Sequence, residues 1–141
     1  MSSVRRISST KRAQANVVDS SAWLAYFTDE PSAPHFANAI EDVDRLVVSA
    51  ICLTEVFTVV ARQRGEGDAL QVAAVMQQGR VIELDATLAL SAAALALEHK
   101  LPLADSIVYA TARLVDGMVW TQDNDFEHLP HVQYVLKSRA R

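Results

Sequence analysis

Cysteine and long apolar runs are both scarce in this sequence of 141 residues. The single cysteine, Cys52, cannot form an internal disulfide, so the fold does not depend on an oxidising compartment. No apolar run approaches the roughly 18 residues that span a bilayer. The N-terminus carries basic residues but no apolar stretch, unlike a secretory signal. We therefore expect a cytoplasmic protein without membrane contact.

Glycine is scarce as well, with four in the chain. No Gly-rich loop is present, which argues against nucleotide binding of the P-loop or Rossmann kind. The histidines form no close metal-binding pair, since His128 and His131 flank Pro130 near a predicted strand. A ribonuclease with a histidine general base is therefore not expected. Half of the residues are hydrophobic, which is enough for one buried core.

Basic residues are unevenly distributed. Residues 1–15 contain four bases and no acid. Taking those four from the thirteen bases of the chain leaves nine against seventeen acids, so residues 16–141 carry a formal charge of −8. Such a domain does not bind nucleic acid through a broad basic surface. We interpret residues 1–15 as a flexible basic leader, with a nucleic-acid-binding arm as the alternative, and residues 16–141 as one folded domain.

Short β-branched segments alternate with helical patterns from residue 16 onward. Strands are predicted at 15–19, 46–49, 80–84 and 118–120, with a fifth near 132–136. Helices are predicted at 22–30 (capped by Ser20 or Ser21), 35–44, 51–64, 69–78, 86–99 and from Pro102 to Gly117. Parallel strands need crossover helices, so this order indicates an α/β fold with a central, mostly parallel sheet of four to five strands.

Four acids stand where these strands end or where the next helix begins. Asp19 ends the first strand, and Asp123 follows the fourth. Glu55 and Asp105 lie in early turns of their helices. Singly, each acid is explained as a cap, a turn residue or part of a solvated face. Together they would repel one another unless they bind a hard cation, and oxygen ligands favour Mg²⁺ or Mn²⁺.

Four segments in a fixed order carry a resemblance to a known family: VVDSSAWLAYF, LTEVF, LPLADSIVYATA and TQDNDF. They resemble the PIN-domain family, specifically the VapC-type toxins of toxin–antitoxin pairs, over nearly everything but the leader. The resemblance implies a three-layer αβα PIN fold and an endoribonuclease that hydrolyses RNA at an acidic Mg²⁺ or Mn²⁺ site. It also implies a cognate antitoxin partner and frequent homodimerisation.

The same resemblance assigns catalytic and metal-binding roles to Asp19, Glu55, Asp105 and Asp123. We expect Asp19 and Asp105 to be the innermost ligands, with Glu55 and Asp123 acting through water or a second metal. Asp125 matches a further acid of the last motif, and a turn or cap residue is the alternative.

Three more residues are candidates for substrate binding. Ser20 and Thr121 match small hydroxyl positions that hold metal-bound water, where capping and turn bonding are the alternatives. Arg113 shares a helix face with Asp105 and Tyr109, so RNA contact competes with packing or a local ion pair. Two other functions stay open for the whole chain: a PIN-like nuclease of RNA processing or DNA flaps without a toxin role, and a non-catalytic binding module.

Overall fold

The computed structural model of this chain describes residues 14–137. Most of the predicted leader, residues 1–15, lies outside the described residues. The division into a leader and a domain over residues 16–141 therefore stays a prediction. No helix among the described residues is long and apolar enough to cross a membrane.

One sheet runs through the described part of the chain. Its strands are β1 (Asn16–Val18), β2 (Leu46–Ser49), β3 (Arg80–Ile82), β4 (Met118–Thr121) and β5 (Val132–Tyr134). Their order across the sheet is β3-β2-β1-β4-β5, and every neighbouring pair is parallel. The predicted α/β class is confirmed, with five strands that are all parallel.

Six α-helices flank this sheet: α1 (Ser20–Phe27), α2 (Ala33–Glu41), α3 (Ala50–Arg64), α4 (Glu66–Met76), α5 (Ala86–His99) and α6 (Leu103–Leu114). Short 3₁₀ turns follow α2 at Val43–Arg45 and β4 at Asn124–Phe126. The crossovers from β1 to β2 and from β2 to β3 run one way along the sheet, and the crossover to β4 runs the other way. Right-handed crossovers therefore place α1 to α4 on one face and α5 with α6 on the other.

The core lies on both sides of the two central hydrophobic strands. All residues of β1 and β2 are buried, as expected for parallel strands covered on both faces. One apolar face of α3 packs against this core, with Val56 and Val60 buried and Leu53 and Phe57 half-buried. Cys52 is fully buried among them, in agreement with its apolar sequence neighbours.

Element bounds differ from the sequence predictions by at most three residues, and both ends coincide at 46–49 and 86–99. Asp19, rather than Ser20 or Ser21, caps α1, because the helix begins at Ser20 and Asp19 is the last extended residue. The fourth helix begins at Glu66 and not at residue 69. Gly65, with a φ of 96°, ends α3 alone, which leaves Gly67 inside α4.

Candidate active site

The acids gather at the carboxyl edge of the sheet, where the strands β1 and β4 end. β1 and β4 are neighbours there, and the chain leaves β1 toward β2 but continues from β4 toward β5. Such a reversal of strand order opens a crevice at the carboxyl ends, where ligands of α/β proteins bind. Asp19 directly follows β1, and its backbone N–H donates to the carbonyl of Trp120 in β4 at 2.9 Å. Asp123 lies two residues beyond β4.

The acid trio consists of Asp105, Asp123 and Asp125. Each contributes one carboxylate oxygen, and these oxygens all lie within 4.8 Å of one another. Asp105 comes from the first turn of α6, and the other two come from the turn after β4. That turn is fixed locally, since the backbone N–H of Asp125 donates to Oδ1 of Asp123 at 2.9 Å.

The electrostatics of the trio favour a bound cation. Burial, followed by the charge of Asp123 and by smaller contributions from Asp125 and Asp19, raises the pKa of Asp105 to about 8. Burial also raises the pKa of Asp19. A positive charge bound between the carboxylates would offset the cost of ionising Asp105. A set of oxygen donors only, with this excess of negative charge, fits a hard divalent cation such as Mg²⁺ or Mn²⁺.

Asp19 is not a member of the trio and is more deeply buried than its three carboxylates. It is only 4% exposed, and its Oδ2 accepts from the N–H of Ser21 at 3.3 Å, from Oγ of Ser21 at 2.8 Å and from Oγ1 of Thr121 at 2.9 Å. Its charge still reaches Asp105, whose pKa it raises. The assignment of Asp19 and Asp105 as the innermost ligands stays a prediction, and Asp19 additionally serves as the cap of α1 through its Oδ2.

Glu55 is half-buried on α3 and is not a member of the trio. Its Oε1 accepts a hydrogen bond from Oγ of Ser20 at 2.6 Å. Thr121 donates to Asp19 and accepts from the backbone N–H of Asp123 at 2.9 Å. The two hydroxyl residues predicted to bind substrate therefore hold carboxylates of the site.

Arg113 is not brought to the acids. It lies eight residues beyond Asp105 on α6, which is about 12 Å along the helix axis. There it lines a separate cavity of about 280 Å³ with Asp85 and Leu88. Tyr109, on the same helix, is fully buried and donates its hydroxyl to the carbonyl of Pro130 at 3.0 Å. Packing is thus the role of Tyr109.

Two positioning residues do not emerge from the sequence. Ser21 holds Asp19 through its hydroxyl and also accepts from the N–H of Gln122 at 3.1 Å. The buried Gln122 side chain accepts from Oγ of Ser32 at 2.6 Å and donates to Oε1 of Glu30 at 3.1 Å. It therefore ties the end of β4 to the α1–α2 connection. In the sequence, the role of Gln122 is indicated only by its position between Thr121 and Asp123, at the end of a predicted strand.

Comparison of the sequence with known protein families identifies the family of this chain. Residues 17–132 match the PIN domain, a span that includes the four predicted catalytic acids and Asp125. The chain belongs to the PIN-domain family. The family resemblance of the sequence motifs is thereby confirmed. No curated protein matches this PIN domain significantly in sequence.

Solved structures with the same fold include toxins of the VapBC kind. A toxin–antitoxin complex from Klebsiella pneumoniae has 23% identity and a TM-score of 0.72, covering 84% of this chain and 96% of that chain. The sarcin–ricin loop-cleaving toxin VapC20 of Mycobacterium tuberculosis has 21% identity and a TM-score of 0.69, covering 84% and 97%. DNA-bound VapBC from Salmonella typhimurium has 16% identity and a TM-score of 0.67, covering 87% and 98%. At these identities the likeness is one of fold.

The raised pKa of Asp105 predicts an unusual pH dependence for the metal-free PIN domain. The unfolded carboxyl loses its proton near pH 3.8, whereas the folded one keeps it up to about pH 8. The native state therefore binds more protons within this window, so the free energy of unfolding falls as the pH rises. Thermal melts in EDTA from pH 5 to 8 should show a falling Tm, and saturating Mn²⁺ should reverse the trend. A Tm in EDTA that rises throughout this window would contradict the prediction.

Proposed function

We propose that this PIN domain is a metal-dependent endoribonuclease that hydrolyses RNA phosphodiester bonds and acts as the toxin of a toxin–antitoxin pair. The observation that carries the proposal is the trio of Asp105, Asp123 and Asp125, with oxygens within 4.8 Å at the reversal of strand order. PIN-family membership supports a nuclease. Similarity in fold to proteins named as toxin–antitoxin components supports the toxin role.

The trio would hold Mg²⁺ or Mn²⁺. When bound, the cation supplies positive charge that offsets the charge of the scissile phosphate and lowers the pKa of water. Asp105 and Asp123 present half-buried carboxylates, and Asp125 closes the trio from the solvent side. Because this domain is strongly acidic, the same cation also allows a phosphate backbone to approach.

Asp19 and Glu55 act from outside the trio. Three hydrogen bonds to Oδ2 prevent the Asp19 carboxylate from rotating, so its negative charge stays fixed near Asp105. Ser20 holds Glu55 in the same way from the start of α1. These two acids orient water, and one of them accepts the proton that the attacking water releases. The family resemblance implies that the 3′ oxygen is the leaving group and takes up a proton, which gives a 5′-phosphate and a 3′-hydroxyl without the RNA 2′-hydroxyl as nucleophile.

The proposal includes two protein partners and a location. A cognate antitoxin inhibits the nuclease, and two copies of the chain form a homodimer. Both expectations come from the family resemblance, and the antitoxin is supported by the similarity in fold to toxin–antitoxin complexes. The cytoplasm is where such a toxin meets its RNA.

RNA cleavage by the purified protein tests the proposal directly. Total RNA incubated with Mg²⁺ or Mn²⁺ should yield new ends at discrete positions, each with a 5′-phosphate, and EDTA should stop the reaction. Sequencing of 5′-phosphorylated ends after a short induction in cells gives the same positions, with Asp19→Ala as the control. Cleavage that persists in EDTA, or cleavage of DNA flaps in the absence of any RNA cleavage, would overturn it.

A further inference from the structure

A cavity of about 410 Å³ opens next to the acid trio. Its walls include Ser21, Gln122, Asp123, Asn124, Tyr134 and Lys137. Two of these residues belong to the site already described, since Asp123 is in the trio and Ser21 holds Asp19. Any group that occupies this cavity therefore lies next to Asp123 of the trio and to Ser21, which holds Asp19. Its volume falls in the usual range of small-ligand sites, so one nucleotide fits.

Tyr134 is placed at this cavity by the sheet itself. It is the last residue of β5 and pairs in register with Thr121, the last residue of β4. The pairing is extended by one more hydrogen bond, from the N–H of Val135 to the carbonyl of Thr121 at 2.9 Å. The phenol ring is half-buried, so one part is held by packing and another part faces the cavity.

Lys137 and Asn124 complete a set of groups that suits a nucleotide. Aromatic rings bind unpaired bases by stacking, whichever base is present. An amide such as that of the exposed Asn124 forms hydrogen bonds with base edges. The exposed ammonium of Lys137 offsets phosphate charge in a domain with few bases. Stacking ring, amide and cation thus line one cavity beside the acids.

We infer that this cavity binds the nucleotide adjacent to the scissile phosphate, with its base stacked on Tyr134 and a phosphate against Lys137. The inference rests on the proposed endoribonuclease function and assigns it two substrate-binding residues in this cavity. Tyr134 and Lys137 are then determinants of substrate affinity rather than of the chemical step.

Steady-state kinetics on a 12-nucleotide RNA that spans a mapped cleavage site provide the test. Tyr134→Ala should raise KM about tenfold and leave kcat within about twofold, because it removes stacking only. Tyr134→Phe keeps the ring and should behave like the wild type. Lys137→Ala should also raise KM. Arg62→Ala, which removes an exposed base seven residues beyond Glu55 on α3, should not change it.

An abasic substrate makes the test specific for the base. Removing the base at the nucleotide that enters the cavity should raise the KM of the wild type about tenfold and leave that of Tyr134→Ala unchanged. Calorimetry should show the same Mn²⁺ affinity in both proteins. If removal of the base raises KM equally in the wild type and in Tyr134→Ala, the inference is wrong. It is also wrong if Tyr134→Ala leaves KM unchanged, as expected for a cavity that binds a protein partner. Either result leaves the proposed ribonuclease function standing. If the wild type cleaves no RNA, the proposed function fails, and the inference with it.

Discussion

Asp105→Asn is expected to reduce RNA cleavage about 10³-fold or more and, at the same time, to raise the Tm of the metal-free protein. The loss of activity follows because the amide keeps the shape but removes a charged ligand, and 10³-fold corresponds to about 4 kcal/mol in the barrier. The gain in stability follows because burial and the neighbouring charges disfavour the ionised Asp105 carboxyl. Cleavage assays and melts in EDTA measure the two effects on one preparation.

Glu127→Gln is the matched control for this variant. Glu127 is exposed and follows the turn that holds Asp123 and Asp125, but it is not a member of the trio. Its amide variant should keep the cleavage rate and the Tm of the wild type. Near-normal cleavage by Asp105→Asn would show that Asp105 is not part of the active site. A Tm below that of the wild type in EDTA would show that other groups of the protein compensate the charge of Asp105.

Phe126→Ala is expected to lower the free energy of unfolding by about 3–5 kcal/mol, the usual cost of removing a phenyl ring from a core. Phe126 is fully buried and is the last residue of the 3₁₀ turn that begins just after Asp123. Its backbone N–H donates to the carbonyl of Asp123 at 3.1 Å, and its carbonyl accepts from Leu129 at 3.0 Å. Urea denaturation measures the loss of stability.

The same variant should also weaken metal binding. Without the ring as an anchor, Asp123 and Asp125 are no longer held opposite Asp105, so Mn²⁺ affinity measured by calorimetry should fall at least tenfold. Phe126→Leu keeps most of the apolar volume, and a cost below about 1.5 kcal/mol is expected for it. A destabilised Phe126→Ala protein with unchanged Mn²⁺ affinity would show that the turn keeps its shape without the ring.

The fold follows from the sequence because alternation of strands and helices allows few architectures. The five strands and the six helices are all readable from periodicity and from helix-ending residues. The order of the strands is not, since nothing local specifies that β4 lies beside β1. The start of α4 is misplaced because two glycines stand close together, and only the backbone angle of Gly65 distinguishes the terminator from the helical residue.

The sequence predicts where the site lies in the fold better than it predicts which residues bind the metal. Acids at the ends of parallel strands converge on one edge, which is why Asp19, Asp105 and Asp123 are found together. Asp123 and Asp125 join Asp105 only because of the shape of the turn that Phe126 anchors. The sequence alone does not decide whether Asp125 is a metal ligand or a turn residue. Helical periodicity places Arg113 on the same face as Asp105, about 12 Å along the axis, but only the packing shows that Arg113 lines a separate cavity.

The position of β4 between β1 and β5 determines the stage of synthesis at which the acid trio can form. Asp19, Glu55 and Asp105 are translated before β4, whereas Asp123 and Asp125 follow it. A nascent chain that ends before β4 thus has β1 at the border of an incomplete sheet and one acid of the trio. The acid trio is complete only after β4 and the turn that follows it leave the ribosome. Under the proposed ribonuclease function, unfinished copies of this protein would therefore leave the surrounding RNA intact during synthesis.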